Sequence, residues 1–354
     1  MENQTYTDGV APRKLWIKEA RGGISRIFIS LFVFQIISFG VVNLTAIALA
    51  IFSPKLYLVL AESAVFNILL SSGVMYCLAF PIFYLMVRKM RVRLPKKTKL
   101  EAGELITSLF IAETLMIVGS YVSLSLTSLL EGIIGQPIPD NTSELILDAP
   151  VWLLILIVVI IGPIVEELIF RKLMIDRLSL HGELYAVIVS SVAFGIFHQN
   201  VYQLFYATLF GFLLGYVYLK SGNIKLSILL HMVINLLGSV VALFIQEKLT
   251  LLGELSENAD YAYEIPYDVA FKLYGAVCAV LSYEALVYGM GLAGLVMLII
   301  GFRKKKYRLS KDCPLPLDAS GLTKATLVNV GTVLFLVLSA IMTLMNVILP
   351  LLAM

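Results

Sequence analysis

Apolar runs of about 18 residues or more recur along this chain, and a run of that length is what an α-helix needs to cross the hydrocarbon of a bilayer. By that length rule about nine segments qualify, near residues 25–52, 63–87, 104–130, 150–176, 184–198, 202–219, 225–246, 270–302 and 326–352. The fifth is short and the eighth is long. Lipid offers no hydrogen bonds to an exposed backbone, so a spanning chain closes its own bonds as helices or as a barrel, and runs this long are helical. The expected fold is all-α: a polytopic membrane helix bundle of about nine spans. Composition agrees, because only 14% of the 354 residues are charged, against roughly 25% in a soluble domain.

The charges that remain are sorted by loop. Arg13, Lys14, Lys18, Arg21 and Arg26 lie in the N-terminal tail; Arg88, Lys89, Arg91, Arg93, Lys96, Lys97 and Lys99 follow the second span; Arg303, Lys304, Lys305, Lys306 and Arg308 follow the eighth. Between them lie acidic loops, with Glu131, Asp140, Glu144 and Asp148, then Glu254, Glu257, Asp260, Glu264 and Asp268. Basic loops stay cytoplasmic. The chain is therefore expected in the cell membrane as a multi-pass protein, with its N-terminus cytoplasmic and, after nine spans, its C-terminus outside. The Arg-Lys-Lys-Lys run reads as a membrane anchor, and a net charge of +3 gives no sign of a nucleic-acid partner. Ala46-Ile47-Ala48 resembles a cleavage site, but the apolar run before it is far longer than a signal peptide's roughly 7–15 residues. Cys77, Cys278 and Cys313 show no metal, redox or disulfide spacing.

Three polar stretches interrupt the apolar background. Glu166-Glu167-x-x-x-Arg171, Phe194-x-x-x-His198 and His231-x-x-x-Asn235 all lie inside expected spans. An ionisable side chain at the bilayer centre costs roughly 2.5–3.5 kcal/mol on insertion scales, so such residues pair or work. Glu167 and Arg171 are four apart in the favourable order for an ion pair on one helical face, a structural strut. Glu166 lies about 100° away around the helix and is left free of that pair. Burial beside a like charge tunes a carboxylate toward acid–base work near neutral pH. Gly162-Pro163 precedes the pair, and proline frees a backbone carbonyl and kinks a helix. Phe194 stands one turn before His198 and walls one side of it. His231 and Asn235 share a face, and two donors converging on one point make an oxyanion hole.

These residues assemble into a site for water-activated peptide hydrolysis. Glu166 and His198 handle the water, and His231 and Asn235 stabilise the tetrahedral oxyanion. No serine or cysteine is placed with a base for covalent catalysis. No cofactor is required; zinc is the alternative, since two His and one Glu form a catalytic zinc set. The motifs lie on separate helices, so their spacing leaves the coordination open.

With Glu-Glu-x-x-x-Arg, Phe-x-x-x-His and His-x-x-x-Asn in that order, the chain resembles the CPBP family of intramembrane proteases, also called type II CAAX prenyl endopeptidases or the Abi family. The likeness covers about residues 150–240 and includes the Gly-rich stretch and Ser-Gly-Asn turn before His231. It implies an all-helical membrane fold whose site opens toward the cytoplasm, with Glu166 and His198 on the water and His231 and Asn235 as the oxyanion site. It also implies a peptide or protein substrate at the membrane; the family is often labelled metalloprotease. The expected organisation is N-terminal membrane helices over 1–130, a CPBP-type protease core over 131–247, and an acidic external loop with C-terminal membrane helices over 248–354.

Two other functions fit less well. A non-catalytic immunity or scaffold protein does not need all four polar site residues. A transporter could use Glu113 and Glu284 as intramembrane proton carriers, but no paired inverted repeat is evident. Gly211-x-x-x-Gly215 and the small pair Gly289 and Ala293 mark expected close helix packing. Oligomeric state is not encoded legibly.

Overall fold

The computed structural model describes residues 11–257, 266–310, 313–315 and 317–353, and among these every regular element is helical. Asp260 and Glu264 of the acidic loop lie outside the described residues. The order is α1 (Ala11–Phe52), α2 (Pro54–Ala61), α3 (Ala64–Val87), α4 (Ala102–Ile134), α5 (Asn141–Leu147) and α6 (Val151–His181). Then come α7 (Glu183–Phe197), α8 (Val201–Ser221), α9 (Ile224–Glu254), α10 (Tyr267–Arg303), α11 (Ala319–Leu327) and α12 (Val330–Ala353).

Eight of the described helices are long and apolar enough to span, where the sequence suggested about nine. The difference is α7, whose 15 residues reach only about 22 Å at 1.5 Å per residue, short of a core roughly 30 Å thick. Its first residue, Glu183, sits among the basic loops: Arg93 lies 4.0 Å from its carboxylate, and the Ser310 N–H donates to it at 2.6 Å. The helix therefore starts in the polar zone beyond the lipid boundary and runs to the acidic loop at the opposite end, where Asn200, just past it, donates to Asp140 at 3.1 Å.

The basic segments meet at one end of the molecule. Glu19 of α1 pairs with Arg91 at 3.5 Å, the Arg93 N–H donates to the Asp176 carbonyl at 2.7 Å, and Lys306 reaches Glu104 at 3.4 Å. At that end α8 stops at Gly222, whose left-handed φ of +62° ends the helix while its Cα faces the Lys96–Lys97 backbone too closely for any Cβ. Asn223 then caps α9 through the Lys225 N–H at 3.1 Å.

Packing is inverted relative to a soluble protein on the outer faces only. Leu44, Ile51, Leu292 and Phe302 are exposed, while Glu113, Glu167, Arg171 and His231 are buried. The most enclosed span is α6, with 56% of its apolar window buried against 17–44% in the other spans. It lies at the centre of a ring formed by α3, α7, α8 and α9. Gly211 and Gly215 do seat α8 against α7, where a Cβ would press on Phe194 and Val187 at 3.2–3.3 Å. The second small pair is displaced from its expected place: nothing lies near Gly289, and the close approach of α10 to α4 occurs at Gly291 and Gly294.

Candidate active site

The site grows from the irregular centre of α6. Its backbone widens into π-type turns over Ile155–Ile161 and again over Leu168–Ile175, a distortion that often accompanies function. The Gly162 N–H bonds five residues back, to the Ile157 carbonyl. The next bond in that register would run from residue 163 to the Val158 carbonyl, but Pro163 has no N–H. The Asn235 amide of α9 donates to the Val158 carbonyl instead, at 2.9 Å. Proline thus opens the helix just before Glu166, and a neighbouring helix closes the orphaned bond.

Glu167 and Arg171 occupy the buried face of α6, both with fully buried side chains and with Nε and Oε2 3.2 Å apart. The N–H groups of Arg171 are not aligned on the carboxylate as hydrogen bonds; the contact is ionic, and the guanidinium carbon lies over the Phe194 ring, 4.7 Å from its centroid. From the other side, His231 Nδ1–H donates to Glu167 Oε1 at 3.2 Å. The opposite nitrogen, Nε2, faces Glu166 Oε2 at 3.6 Å. Glu166, expected to have no local partner, therefore has His231 beside it. Its side chain retains 24% exposure beside the fully enclosed Glu167, so it is the carboxylate of the pair that a water or a peptide can reach.

Phe194 organises the rest. Its ring packs edge-on against His198 at 4.7 Å and His231 at 5.9 Å, besides carrying Arg171. His198 ends α7, followed by Gln199 in the left-handed region at φ +55°, the usual conformation just past a helix end. Its Nδ1 lies 2.7 Å from the Phe194 carbonyl. A carbonyl only accepts, so a proton sits on Nδ1, and in the neutral ring it is Nε2 that presents a lone pair. Glu166, Glu167, Arg171, Phe194 and His231 are joined by pairwise contacts; His198 joins them through the Phe194 ring, and among the described residues no hydrogen bond or ion pair ties it to Glu166. Asn235 shares the His231 helix but has one amide N–H committed to Val158.

One comparison with known proteins covers this stretch of the chain. The sequence profile of the Type II CAAX prenyl endopeptidase Rce1-like family matches residues 148–237, which contain all seven. The membrane-embedded CAAX protease MroQ of Staphylococcus aureus (strain USA300) is 30% identical over 193 residues, 50% of this chain and 74% of that protein. The chain belongs to the CPBP family. YdiL of Bacillus subtilis (strain 168), provisionally named a membrane peptidase, is 36% identical over 99 residues, which is 27% of this chain and less than half, 40%, of that relative. No solved structure matches.

Around this CPBP core the structure adds residues that the motifs did not reveal. Tyr76 of α3 and Tyr206 of α8 both lie close enough to Glu166 to feel its charge. Ser227, one turn before His231 on α9, lies against the Glu167 carboxylate, and Phe210 packs edge-on to the His231 ring at 5.3 Å. Only Ser227 carried a sequence signal, its i, i+4 spacing to His231; the others come from helices distant in sequence. The zinc alternative finds no converged donor set: among the described residues, no three His, Cys, Asp or Glu side chains are grouped to hold a metal. Glu113 is buried in α4 whereas Glu284 is exposed on α10, so the two do not form a buried relay pair.

Proposed function

We propose that this protein is an intramembrane endopeptidase that hydrolyses a peptide bond of a membrane-associated peptide or protein by water activated at Glu166. The observation that carries the reading is the contact chain Glu166–His231–Glu167–Arg171 inside the bundle, with the two carboxylates of adjacent residues held in different surroundings.

Glu166 takes a proton from the water as its oxygen attacks the carbonyl carbon. His198 Nε2, whose lone pair is fixed by the Nδ1 bond, accepts the water's second hydrogen. The carbonyl oxygen becomes an oxyanion as the carbon turns tetrahedral. His231, held at Nδ1 by Glu167, donates to it from Nε2–H. The second amide hydrogen of Asn235 completes the pair of donors. Glu166 returns the proton to the leaving nitrogen as the C–N bond breaks, and both products leave with balanced charge. Apo sites commonly hold such groups slightly beyond hydrogen-bond distance until substrate binds, as Glu166 and His231 are here.

His231 lies about 10 Å from the basic start of α9, at 1.5 Å per residue, which supports a site entered from the basic, cytoplasmic side. Purified protein in liposomes, offered membrane-anchored peptides with and without lipid-modified C-termini, should cleave members of one class, read by mass spectrometry. Glu166→Gln should unfold at the wild-type temperature and release no product. Substantial cleavage by Glu166→Gln would overturn the mechanism. Activity lost to chelator and restored by zinc, with stoichiometric zinc in the protein, would overturn its metal-free form.

A further inference from the structure

At the basic end, away from the catalytic cluster, a cavity of about 270 Å³ lies between α1, the chain just after α3, and the last turns of α6. Arg26 of α1, Arg91 beyond α3 and Arg177 of α6 line it, with Glu19 as the opposing charge and His181 at its edge. Three arginines against one glutamate leave a formal charge of +2 with His181 neutral.

The cavity exists because α1 carries two consecutive glycines on that wall. Glycine is the poorest helix former after proline, and no close contact demands it here: a Cβ at Gly22 would meet nothing within 4 Å, and one at Gly23 only the Met90 Cε at 3.7 Å. Their effect is to leave space where helix α1 would otherwise carry side chains. Arg177 is buried and fixed, its guanidinium bonded to the carbonyls of Val87 and Leu173. Arg26 uses Nε on the Met86 carbonyl at 2.7 Å, which fixes its plane and leaves its terminal nitrogens as donors. Arg91 pairs with Glu19 at 3.5 Å, with side chains 72% and 49% exposed, and an exposed pair of that kind contributes little and exchanges readily.

Planar guanidinium forks match phosphate oxygens, and basic pockets between spanning helices at the cytoplasmic boundary suit anionic lipid headgroups. The cavity lies where the apolar part of α1, Leu15–Phe52, begins, at the depth of a headgroup. We propose that it binds the phosphodiester headgroup of an anionic membrane lipid. This site stands apart from the protease reading and does not depend on it.

The test is native mass spectrometry of the full chain in detergent, titrated with phosphatidylglycerol or phosphatidylcholine of identical acyl chains. Wild type should retain phosphatidylglycerol at least tenfold better. Arg26→Gln with Arg91→Gln, both exposed positions, should reduce that preference to about twofold or less, and Gly22→Leu should do the same by filling the cavity with every charge kept. Millimolar glycerol phosphate should not displace the lipid. Equal retention of both lipids, or an unaltered preference in the double arginine variant, overturns the proposal. Displacement by glycerol phosphate overturns it in favour of a soluble anion. Should Gly22→Leu fail to fold, the arginine variant decides alone.

Discussion

Arg171 and Glu166 divide the work of a charged cluster that would otherwise be too costly for a membrane interior. Arg171 is fully buried, holds Glu167 and lies on Phe194, so its removal strands a buried carboxylate. Breaking one partner of a buried pair costs about 3–5 kcal/mol. Arg171→Ala is expected to lower the thermal unfolding temperature in detergent sharply and to reduce the folded fraction on size exclusion. Arg171→Lys should recover only part, because an ammonium does not stack as a planar guanidinium does. An Arg171→Ala protein as stable as wild type would remove the strut from this account. The pairing itself was legible in the sequence, since i, i+4 spacing places Glu167 and Arg171 together on any helix. The approach of His231 to both glutamates was not, because nothing in the spacing of residues 166 and 231 fixes how α6 and α9 cross.

At the scale of elements, a proline in α6 and an amide in α9 depend on one another. Asn235→Ala leaves the Val158 carbonyl without its donor, and an orphaned buried polar group costs about 1–3 kcal/mol. If Asn235 also donates to the oxyanion, its loss lowers kcat by about 10²–10³ with KM little changed. The two effects separate in the double variant Pro163→Ala, Asn235→Ala, because alanine at 163 restores an N–H to the helix. Its unfolding temperature should return toward that of wild type while kcat remains low. Recovery of activity together with stability would show Asn235 to be purely structural. The Gly-x-x-x-Gly of α8 works differently, by contact: its glycines bring α8 onto α7 beside Phe194, so the ring that carries Arg171 and both histidines is positioned by a helix interface.

For the whole molecule, the gathering of three basic segments at one end fixes which loops share a side. In a background with the three native cysteines replaced, cysteines introduced at the exposed positions Arg88 and Gln136 should label from opposite faces of intact cells, with Arg88 reached only after permeabilisation. The reverse pattern would invert the protein and the entrance to its site. The sequence alone determined that the chain is a helical membrane bundle, because long apolar runs have one cheap solution in lipid, and it marked the seven motif residues, because polar groups stand out against that background. The fifth of the expected segments is present as the short apolar helix α7, since hydropathy measures composition and the length of α7 is a matter of where a helix starts among charged loops. Tertiary structure decided what depends on distance between helices: that Glu166 has His231 for a neighbour, that Asn235 closes the bond Pro163 opens, that Tyr76 and Tyr206 stand near the carboxylate, and that paired glycines in α1 leave a cationic cavity. Periodicity reports which face of a helix a residue takes; only packing sets what that face meets.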